Sequence, residues 1–342
     1  MIKYIGSKRA LLDPIRSAIR ALLPAGGRVC DLFSGSARVA HALKADGYEV
    51  WANDHNAYAH ILAMAHIQAD AERWREPAER LLAELRTVPP AAGWFTKALC
   101  EDARFFHPSN GAVIDAVRDR IAALSLEPEL EAIALTALIQ AADRVDSTAG
   151  VHMAYMKRWA PRALKPLELR LPDLLSGPGR ATCADAVEIA PEVEADLVYL
   201  DPPYNQHSYL GNYHIWESLV LWDKPETYGI ANKRIDCRTR KSAFNFKGGI
   251  GPALRTVIES LKAPNLLVSF NDEGFLTRDD LVEMLSVRGP VQVIEIPRPR
   301  YVGARIGIHN LKGEKVGAVG RLTNVEHLFV VGEGARGLAR AA

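Results

Sequence analysis

The stretch that most constrains the fold is an apolar run that ends in a pair of prolines. The run from Ala195 to Leu200 is followed directly by Asp201, Pro202, Pro203 and Tyr204. Its valine, leucine and tyrosine residues favour a buried strand, whereas neither proline has an N–H with which to continue a sheet ladder. The strand must therefore end here, and it leaves a carboxylate, backbone carbonyls and an aromatic ring at its carboxyl end. In open α/β sheets, ligands bind at that end of the strands.

Two earlier parts of the chain have the same pattern of a strand followed by a turn. Residues 28–33 form an apolar strand pattern that leads into the small-residue turn 34–37, and a helical apolar face follows. Residues 48–53 form a second strand pattern that ends in Asp54. A small-residue turn before a helix brings backbone amides to a ligand, and an acid after the second strand is placed to accept from ribose hydroxyls. These units predict an α/β fold with a Rossmann-like doubly wound sheet that binds a nucleoside cofactor.

The sheet pattern resumes only after a long interruption. Residues 57–178 carry helical apolar stripes and loops, and a short strand pattern at 181–184 then leads to Asp185. Three more strand patterns follow, at 265–270, 291–296 and 327–331. We therefore expect a sheet domain made of residues 1–56 and 179–331, a mainly helical insert at 57–178 and a disordered tail at 332–342.

Two segments concentrate basic residues next to aromatic ones. Five basic residues and one acidic residue lie between 157 and 170, and six basic residues and one acidic residue lie between 232 and 247. Such patches suit phosphate contact, although a solvated charged face explains the first segment equally well. The second segment lacks periodicity, which predicts a mobile basic loop beside the proline motif. The residues expected to bind nucleic acid are Lys157, Arg158, Lys233, Arg234, Arg238, Arg240 and Lys241.

The composition of the whole chain argues against several classes of protein. Of its 342 residues 48% are hydrophobic and 24% are charged, and the net charge is +1, so an anionic partner must be met by local patches. The four cysteines have neither the spacing nor the histidine neighbours of a metal site. No apolar run is long enough to span a membrane, and no export signal is visible. We expect a cytoplasmic protein with reduced thiols, no metal and no membrane partner.

The groups at the proline motif suggest a class of reaction. An exocyclic amine on a purine is a poor nucleophile because its lone pair is delocalised into the ring. Two acceptors, such as the carboxylate of Asp201 and the carbonyl of Pro202, would favour the pyramidal amine whose lone pair is available. This chemistry needs neither a metal nor a covalent intermediate. The ring of Tyr204 would stack on the flat base once that base has been flipped out of a duplex.

Several segments, taken in chain order, resemble the Dam-like class of DNA adenine N6-methyltransferases, which use S-adenosylmethionine. These segments are residues 4–8 and 31–35, the acids Asp54 and Asp185, and the motif 201–204. The continuation of the motif to His214 and the later segment 271–274 are most similar to the FokI-type modification methylases within that class. The resemblance extends over about residues 1–331, and its most specific part is the proline motif.

The resemblance implies roles for the matching residues. The catalytic set would be Asp201, Pro202, Pro203 and Tyr204, with Asp201 and the Pro202 carbonyl binding the adenine amine and Tyr204 stacking on the ring. The cofactor set would be Tyr4, Lys8, Asp31, Phe33, Gly35, Asp54 and Asp185, with Asp54 on the ribose and Asp185 on the cofactor adenine. The insert would recognise the target site in double-stranded DNA. A cognate restriction endonuclease would be a further partner if the chain belongs to a restriction-modification pair.

Three other functions can be considered for the same residues, and the cysteines exclude the first of them. A cytosine C5-methyltransferase would carry a cysteine nucleophile after a proline, and none of the four cysteines follows one. An rRNA adenine N6-methyltransferase would share the site chemistry, so the choice of DNA depends on the long insert and the two basic segments. A non-catalytic nucleic-acid-binding module on the same fold is the alternative from a different class. The intact acids and Tyr204 argue against that module.

Overall fold

The proline motif follows a central strand of a seven-stranded mixed sheet. A computed structural model of the chain describes residues 1–299, 308–309, 315–317 and 323–332, so nearly all of the expected disordered tail lies outside the described residues. The strands are β1 (Arg28–Asp31), β2 (Glu49–Asp54), β3 (Gly179–Cys183), β4 (Leu197–Leu200), β5 (Thr227–Tyr228), β6 (Lys233–Arg234), β7 (Asn265–Asn271), β8 (Val291–Pro299), β9 (Ile308–His309), β10 (Lys315–Gly317) and β11 (Thr323–Val331).

The strand order of the main sheet is β3-β2-β1-β4-β7-β11-β8, and β5-β6 and β9-β10 form separate two-stranded ribbons. β11 runs antiparallel to both of its neighbours, whereas the other pairs in the main sheet are parallel. The chain moves outward from β1 to β3 and then returns to the other side of β1 with β4. The order therefore reverses between β1 and β4, where a doubly wound sheet opens a crevice at the carboxyl ends of its strands. The expected α/β sheet is confirmed.

Twelve helices are described, and most of them cover the sheet or build the insert. They are α1 (Leu12–Leu22), α2 (Arg38–Ala45), α3 (Ala57–Ala63), α4 (Ala71–Leu85), α5 (Trp94–Thr96), α6 (Pro108–Ala123), α7 (Pro128–Arg144), α8 (Ala186–Ile189), α9 (Tyr209–Asn212), α10 (His214–Leu221), α11 (Lys247–Ser260) and α12 (Arg278–Ser286). Single π-helical turns extend α3 and α5. Within the part of the chain that the structure describes, no helix is both long and apolar enough to cross a membrane.

The first helix begins differently from what its sequence suggests. Asp13 and Pro14 have the character of a cap and a first helical residue. In the structure, a 3-10 turn over Lys8–Leu11 runs straight into α1, so that Leu11 is the N-cap and Asp13 already lies in the first turn. The preceding turn supplies the start of the helix, and it also fixes the position of Lys8.

Alternate residues of the strands face two separate apolar layers. Leu197 and Tyr199 of β4 pack in one core cluster together with α1 and α2, whereas Val198 and Leu200 pack in another cluster together with α11 and α12. All four residues of β4 are buried. A strand that is covered on both faces has no solvent-facing side, which explains its continuous apolar run.

The insert at 57–178 shares its cores with the rest of the chain. Its helices α3, α4 and α7 contribute to the cluster that covers the α1 side of the sheet. A further cluster joins insert residues such as Phe106 to Trp216 of α10, which lies beyond the proline motif. The sequence boundaries of the insert therefore do not coincide with a boundary of the hydrophobic core, and its role in target recognition stays a prediction.

The basic segment 232–247 is built from short turns and not from one long loop. It contains β6, 3-10 turns at Ile235–Arg238 and Ala243–Asn245, and the first residue of α11. Ion pairs from Arg234 and Arg240 to Asp236 stabilise the first of these turns. Turns of this length have no helical or strand periodicity, which is why the sequence pattern predicted a loop.

We expect the shared core to make the insert and the sheet unfold together. Trp216 is fully buried, with its ring centroid 4.6 Å from that of His152 and 6.2 Å from that of Phe106. Trp216→Ala should lower the free energy of unfolding by about 3–5 kcal/mol in a single urea transition followed by circular dichroism. The surface control Leu164→Ala should change it by less than about 0.5 kcal/mol. Two separate transitions in the wild-type protein would contradict the shared core.

Candidate active site

The carboxyl ends of four parallel strands border one cleft. The cleft holds about 940 Å³ of empty space when the open solvent at its mouth is included. All the residues that the sequence assigned to a cofactor line it, namely Tyr4, Lys8, Asp31, Phe33, Gly35, Asp54 and Asp185. Asp201 and Pro203 line it as well, whereas Pro202 is buried and Tyr204 is half-buried. The fold thus brings acids from the ends of β1, β2, β3 and β4 to the same place.

Lys8 is bound to two carboxylates inside the protein. Its Nζ lies 2.9 Å from Oδ1 of Asp201 and 2.6 Å from Oε1 of Glu326, and only 6% of its side chain is exposed. Burial opposes the charge of Lys8, but Asp201 and Glu326 outweigh that effect and raise its pKa well above the usual value. The ammonium of Lys8 is therefore charged and engaged with Asp201, whereas the resemblance assigned it to the cofactor.

Asp201 directly follows β4, and the pKa of its carboxyl lies close to neutral pH. Burial raises the pKa of Asp201 to about 6, with Lys8 opposing this increase and Glu326 adding to it. The carboxylate is thus ionised at neutral pH, but it is a better acceptor than an exposed aspartate. Ionised carboxylates only accept hydrogen bonds, which suits an amine ligand with two N–H groups.

The aromatic ring of the motif lies beside this carboxylate. Tyr204 packs on Phe270 with ring centroids 5.4 Å apart, and the Nζ of Lys8 lies 5.8 Å from its ring centroid. Its backbone carbonyl accepts from the N–H of Phe275 at 2.9 Å, which fixes the chain after the prolines. Burial raises the pKa of Tyr204 to about 12, so the phenol stays neutral.

Asp31, the last residue of β1, has one oxygen without a hydrogen-bond partner among the residues that the structure describes. Its Oδ2 accepts from the backbone N–H of Ala40 at 3.2 Å, whereas its buried Oδ1 has no hydrogen-bond partner among the described residues. Burial raises the pKa of Asp31 to about 8, and the nearby charge of Asp201 adds to the increase. At neutral pH this carboxyl is therefore mostly protonated, and a cation bound beside its unpartnered oxygen would stabilise the ionised form.

The turn after β1 is held by the acid at the end of β2. Oδ2 of Asp54 accepts from the N–H of Gly35 at 2.9 Å, and its Oδ1 accepts from the N–H of Asn56 at 2.9 Å. Gly35 has a φ of +50°, and a Cβ at this position would lie 3.0 Å from the ring of Tyr4. The turn therefore requires glycine. Oδ1 of Asp54 also accepts from the side-chain amide of Asn56 at 3.2 Å, so Oδ2 is the oxygen that keeps one more acceptor site for a ligand.

Aromatic contacts form the walls of the cleft. Tyr4 stacks between Tyr209 and Tyr213, with centroid distances of 5.3 Å and 4.7 Å. Phe33 meets Phe244 edge to face at 5.0 Å. Because Tyr209 comes from α9 and Phe244 from the basic segment, the regions beyond the proline motif contribute to the walls of the cleft.

Asp185 caps the helix that follows β3. Its Oδ1 accepts from the backbone N–H of Val187 at 2.8 Å, which starts α8. This contact leaves the second oxygen of Asp185 available at the rim of the cleft. Within the described residues, no group of three or more His, Cys, Asp or Glu side chains could hold a metal ion.

The seven basic residues expected to bind nucleic acid fall into different environments. The exposed ones are Lys157, Arg158, Arg238 and Lys241. Lys233 is half-buried with its Nζ 2.9 Å from Sδ of Met153, and Arg240 binds Glu217 at 2.9 Å. Arg234 is 3% exposed, and all five of its N–H groups are bound to Asp223, Asp236 and Ser218. This saturation corrects the expectation for Arg234, which has no donor left for a phosphate.

Two buried acids of the site were not identified from the sequence. Glu326 accepts from Lys8, and Glu217 accepts from the N–H groups of Ala57 and Tyr58 at the start of α3. Glu217 interrupts the buried apolar stretch of α10, and Glu326 lies within the largely buried strand β11. A charged residue in such a stretch needs a partner, and this was the available signal.

The chain matches a family model over residues 4–249, and the model describes D12 class N6 adenine-specific DNA methyltransferases. The chain belongs to this family. It is 31% identical over 326 residues to the type II methyltransferase M.FokI of Planomicrobium okeanokoites, which covers 88% of this chain and 49% of that protein. It is 29% identical over 321 residues to the modification methylase StsI of Streptococcus sanguinis, with the same two shares. The resemblance to FokI-type methylases is confirmed.

A third relative is similar over nearly its whole length. The type II methyltransferase M.NlaIII of Neisseria lactamica is 28% identical over 315 residues, which cover 88% of this chain and 92% of that protein. In contrast, the chain spans about half the length of M.FokI and StsI. The family description names adenine in DNA, so the comparisons do not favour the rRNA enzyme or the non-catalytic module.

We expect Asp31 to make stability depend on pH. Its pKa is about 8 in the folded protein and about 3.9 in an unfolded chain, so the folded state binds more protons. The contribution of this carboxyl to stability therefore falls as the pH rises from about 4 to about 8. Asp31→Asn should raise the midpoint of thermal unfolding relative to wild type, with a difference that grows from pH 5 to pH 8. Differential scanning calorimetry measures these midpoints. The exposed control Asp13→Asn should show no trend with pH. The absence of a trend in Asp31→Asn would contradict the raised pKa of Asp31.

Proposed function

We propose that this chain is a site-specific DNA methyltransferase that transfers a methyl group from S-adenosylmethionine to the N6 amine of adenine. The observation that carries the proposal is the position of Asp201, which lies at the end of β4 in the same cleft as Asp31 and the Gly35 turn. An acceptor for an amine thereby lies in the same cleft as Asp31, whose Oδ1 has no partner among the described residues. Membership in the D12 class supports the same substrate class.

The cleft offers groups that fit the parts of S-adenosylmethionine. Oδ1 of Asp31 is buried and has no donor within the described part of the chain, and the cationic amino group of the methionine part would supply one. Asp54 and Asp185 each keep carboxylate acceptor sites, which suit ribose hydroxyls and an adenine amine. When bound, S-adenosylmethionine supplies a methyl group that its positively charged sulfur makes electrophilic.

Asp201 and the Pro202 carbonyl would act on the amine as hydrogen-bond acceptors. Neither proline has an N–H that could satisfy a neighbouring carbonyl, and the fixed φ of each proline holds the turn rigidly. Two acceptors aimed at the two N–H groups favour the pyramidal nitrogen, whose lone pair can attack. Because Lys8 already holds the Asp201 carboxylate in place, the transition state would gain the interaction with this acceptor without reorganisation.

Tyr204 would hold the target base in the cleft. Its ring is already oriented by Phe270, and its neutral phenol avoids repulsion with Asp201. An amine that is paired inside a duplex cannot reach these groups, so the adenine must first be flipped out. Stacking on an aromatic ring would offset part of the cost of unstacking the base from its neighbours in the duplex.

The exposed basic residues would contact the DNA backbone, and the insert would select the target site. Lys157 and Arg158 extend from the insert, and Arg238 and Lys241 extend from the basic segment that closes the cleft. With a whole-chain charge of only +1, such local cations must provide the attraction to phosphate. We also propose a restriction endonuclease of the same site as a partner, because the relative StsI is a modification methylase by name.

Removing the acceptor at the strand end should abolish methyl transfer. Asp201→Ala takes away the carboxylate but leaves Asp31, Asp54 and the Gly35 turn in place. We expect a loss of at least about 100-fold in the rate, with binding of S-adenosylmethionine retained in isothermal titration calorimetry. Methylation is measured by modification-sensitive sequencing of DNA incubated with each protein. A variant that methylates adenine at the wild-type rate would overturn the assigned role of Asp201.

Neutralising exposed cations should weaken DNA binding and reduce its dependence on salt. For Arg158→Gln combined with Arg238→Gln, we expect the slope of log K against log salt to fall in magnitude by about two. The matched control is Lys262→Gln, which removes an exposed charge near the amino ends of the strands. Fluorescence anisotropy with a labelled duplex at several salt concentrations measures the slopes. An unchanged slope in the double variant would show that these residues do not contact phosphate.

A further inference from the structure

Three charged side chains form a buried row of ion pairs that ends at Asp201, directly after β4. Nζ of Lys8 lies between Oδ1 of Asp201 at 2.9 Å and Oε1 of Glu326 at 2.6 Å. Glu326 belongs to β11, two strands away from β4 in the sheet. Asp201 lines the cleft, whereas Glu326 is not among the residues that line it. Glu326 therefore contacts Lys8 and not the substrate cleft.

Glu326 is held by hydrogen bonds from two further side chains in addition to its ion pair with Lys8. Its Oε1 also accepts from the hydroxyl of Ser269 at 2.7 Å, and its Oε2 accepts from the amide of Asn271 at 3.2 Å. Both partners lie on β7, between β4 and β11. The side chain of Glu326 is only 6% exposed, and these donors keep it ionised, since they and Lys8 lower its pKa against the effect of burial.

The second carboxylate changes what Lys8 does to Asp201. A buried lysine that faced Asp201 alone would neutralise it and weaken it as an acceptor for a substrate amine. With Glu326 on its other side, one positive charge is shared between two negative ones, and the trio keeps a net negative charge at the cleft. Charges at this separation in a site of low dielectric interact strongly.

We propose that Glu326 is a positioning residue for methyl transfer, which holds Lys8 so that Asp201 is oriented but not neutralised. The inference rests on the proposed function and adds a residue from the opposite, antiparallel part of the sheet to the site. It assigns Lys8 to the substrate side of the cleft through Asp201.

The groups that face Asp201 determine how this role can be measured. The titratable ones are Lys8 before α1, Asp31 at the end of β1, Tyr199 in β4, Tyr204 after the prolines, Tyr209 in α9 and Glu326 in β11. The phenols stay neutral because burial raises the pKa of each tyrosine. Replacing Glu326 by glutamine removes one negative charge from this set and keeps the shape of the side chain.

The test measures the Asp201 carboxyl and the reaction separately. In Glu326→Gln, Lys8 pairs with Asp201 alone, so the pKa of Asp201 should fall by about one unit. Carbon-13 NMR of the carboxyl groups measures it without cofactor or DNA, with the resonance assigned by Asp201→Asn. In the pH profile of the single-turnover methylation rate, the midpoint of the acidic limb should move to lower pH by the same amount, and the plateau rate should fall. The affinity for S-adenosylmethionine should not change.

The same substitution elsewhere in the sheet provides the control. Glu295→Gln alters an exposed glutamate of β8 and should move neither the carboxyl titration nor the limb. If Glu326→Gln proves unstable in thermal unfolding, Glu326→Asp replaces it, since that variant keeps the charge and should leave the limb in place while lowering the plateau.

Two failures can be told apart in these data. A wild-type protein that does not methylate adenine in DNA removes the proposed function. If the wild-type protein is active but the pKa of Asp201 is the same in Glu326→Gln as in wild type, the inference is overturned. It is also overturned if the acidic limb of the pH profile is displaced in Glu326→Asp. A lower rate without a displaced limb in Glu326→Gln would reduce Glu326 to a purely structural contact, and this also overturns the inference.

Discussion

The site depends on keeping two carboxylates buried at the ends of neighbouring strands. Asp31 ends β1 and Asp201 follows β4, and the parallel pairing of these strands forces the two acids to the same edge of the sheet. Their charges repel each other, and burial raises the pKa of both. The protein compensates them unequally, because Lys8 binds Asp201, whereas one oxygen of Asp31 has no partner among the described residues. This difference suits two different ligands, a cation at Asp31 and a neutral amine at Asp201.

The elements beyond the proline motif connect this edge to the insert. Glu217 of α10 is fully buried, accepts from the first amides of α3 and binds Arg240, which lines the cleft. Arg240 in turn shares Asp236 with Arg234. One ion-pair network thus joins the first helix of the insert, the helix after the motif and the basic segment. Because removing one member would leave buried charges unpaired, these parts are expected to keep a fixed arrangement.

The sequence predicts the sheet and the acids of the cleft well, because both depend on local patterns. The apolar run before Asp201 and the strands before Asp54 and Asp185 lie within two residues of their observed bounds. The position of Lys8 and the presence of Glu326 could not be predicted in this way. Lys8 and Glu326 lie 318 residues apart along the chain, and they meet only because β11 pairs with β7. The charge of Glu326 was visible in the sequence, but its partner was not.

In the basic segment, the sequence pattern also failed to show which charged residues have partners inside the protein. Arg234 and Arg238 lie four residues apart and contribute equally to any count of local charge. The structure buries Arg234 among three polar partners, whereas Arg238 is exposed with its guanidinium carbon 4.2 Å from the ring centroid of Tyr228. A guanidinium that lies against an aromatic ring at the surface keeps N–H groups for a phosphate, and a saturated one does not. Electrostatic attraction to DNA therefore has to be assigned from the hydrogen bonds of each cation, and in this segment part of the positive charge stabilises the fold.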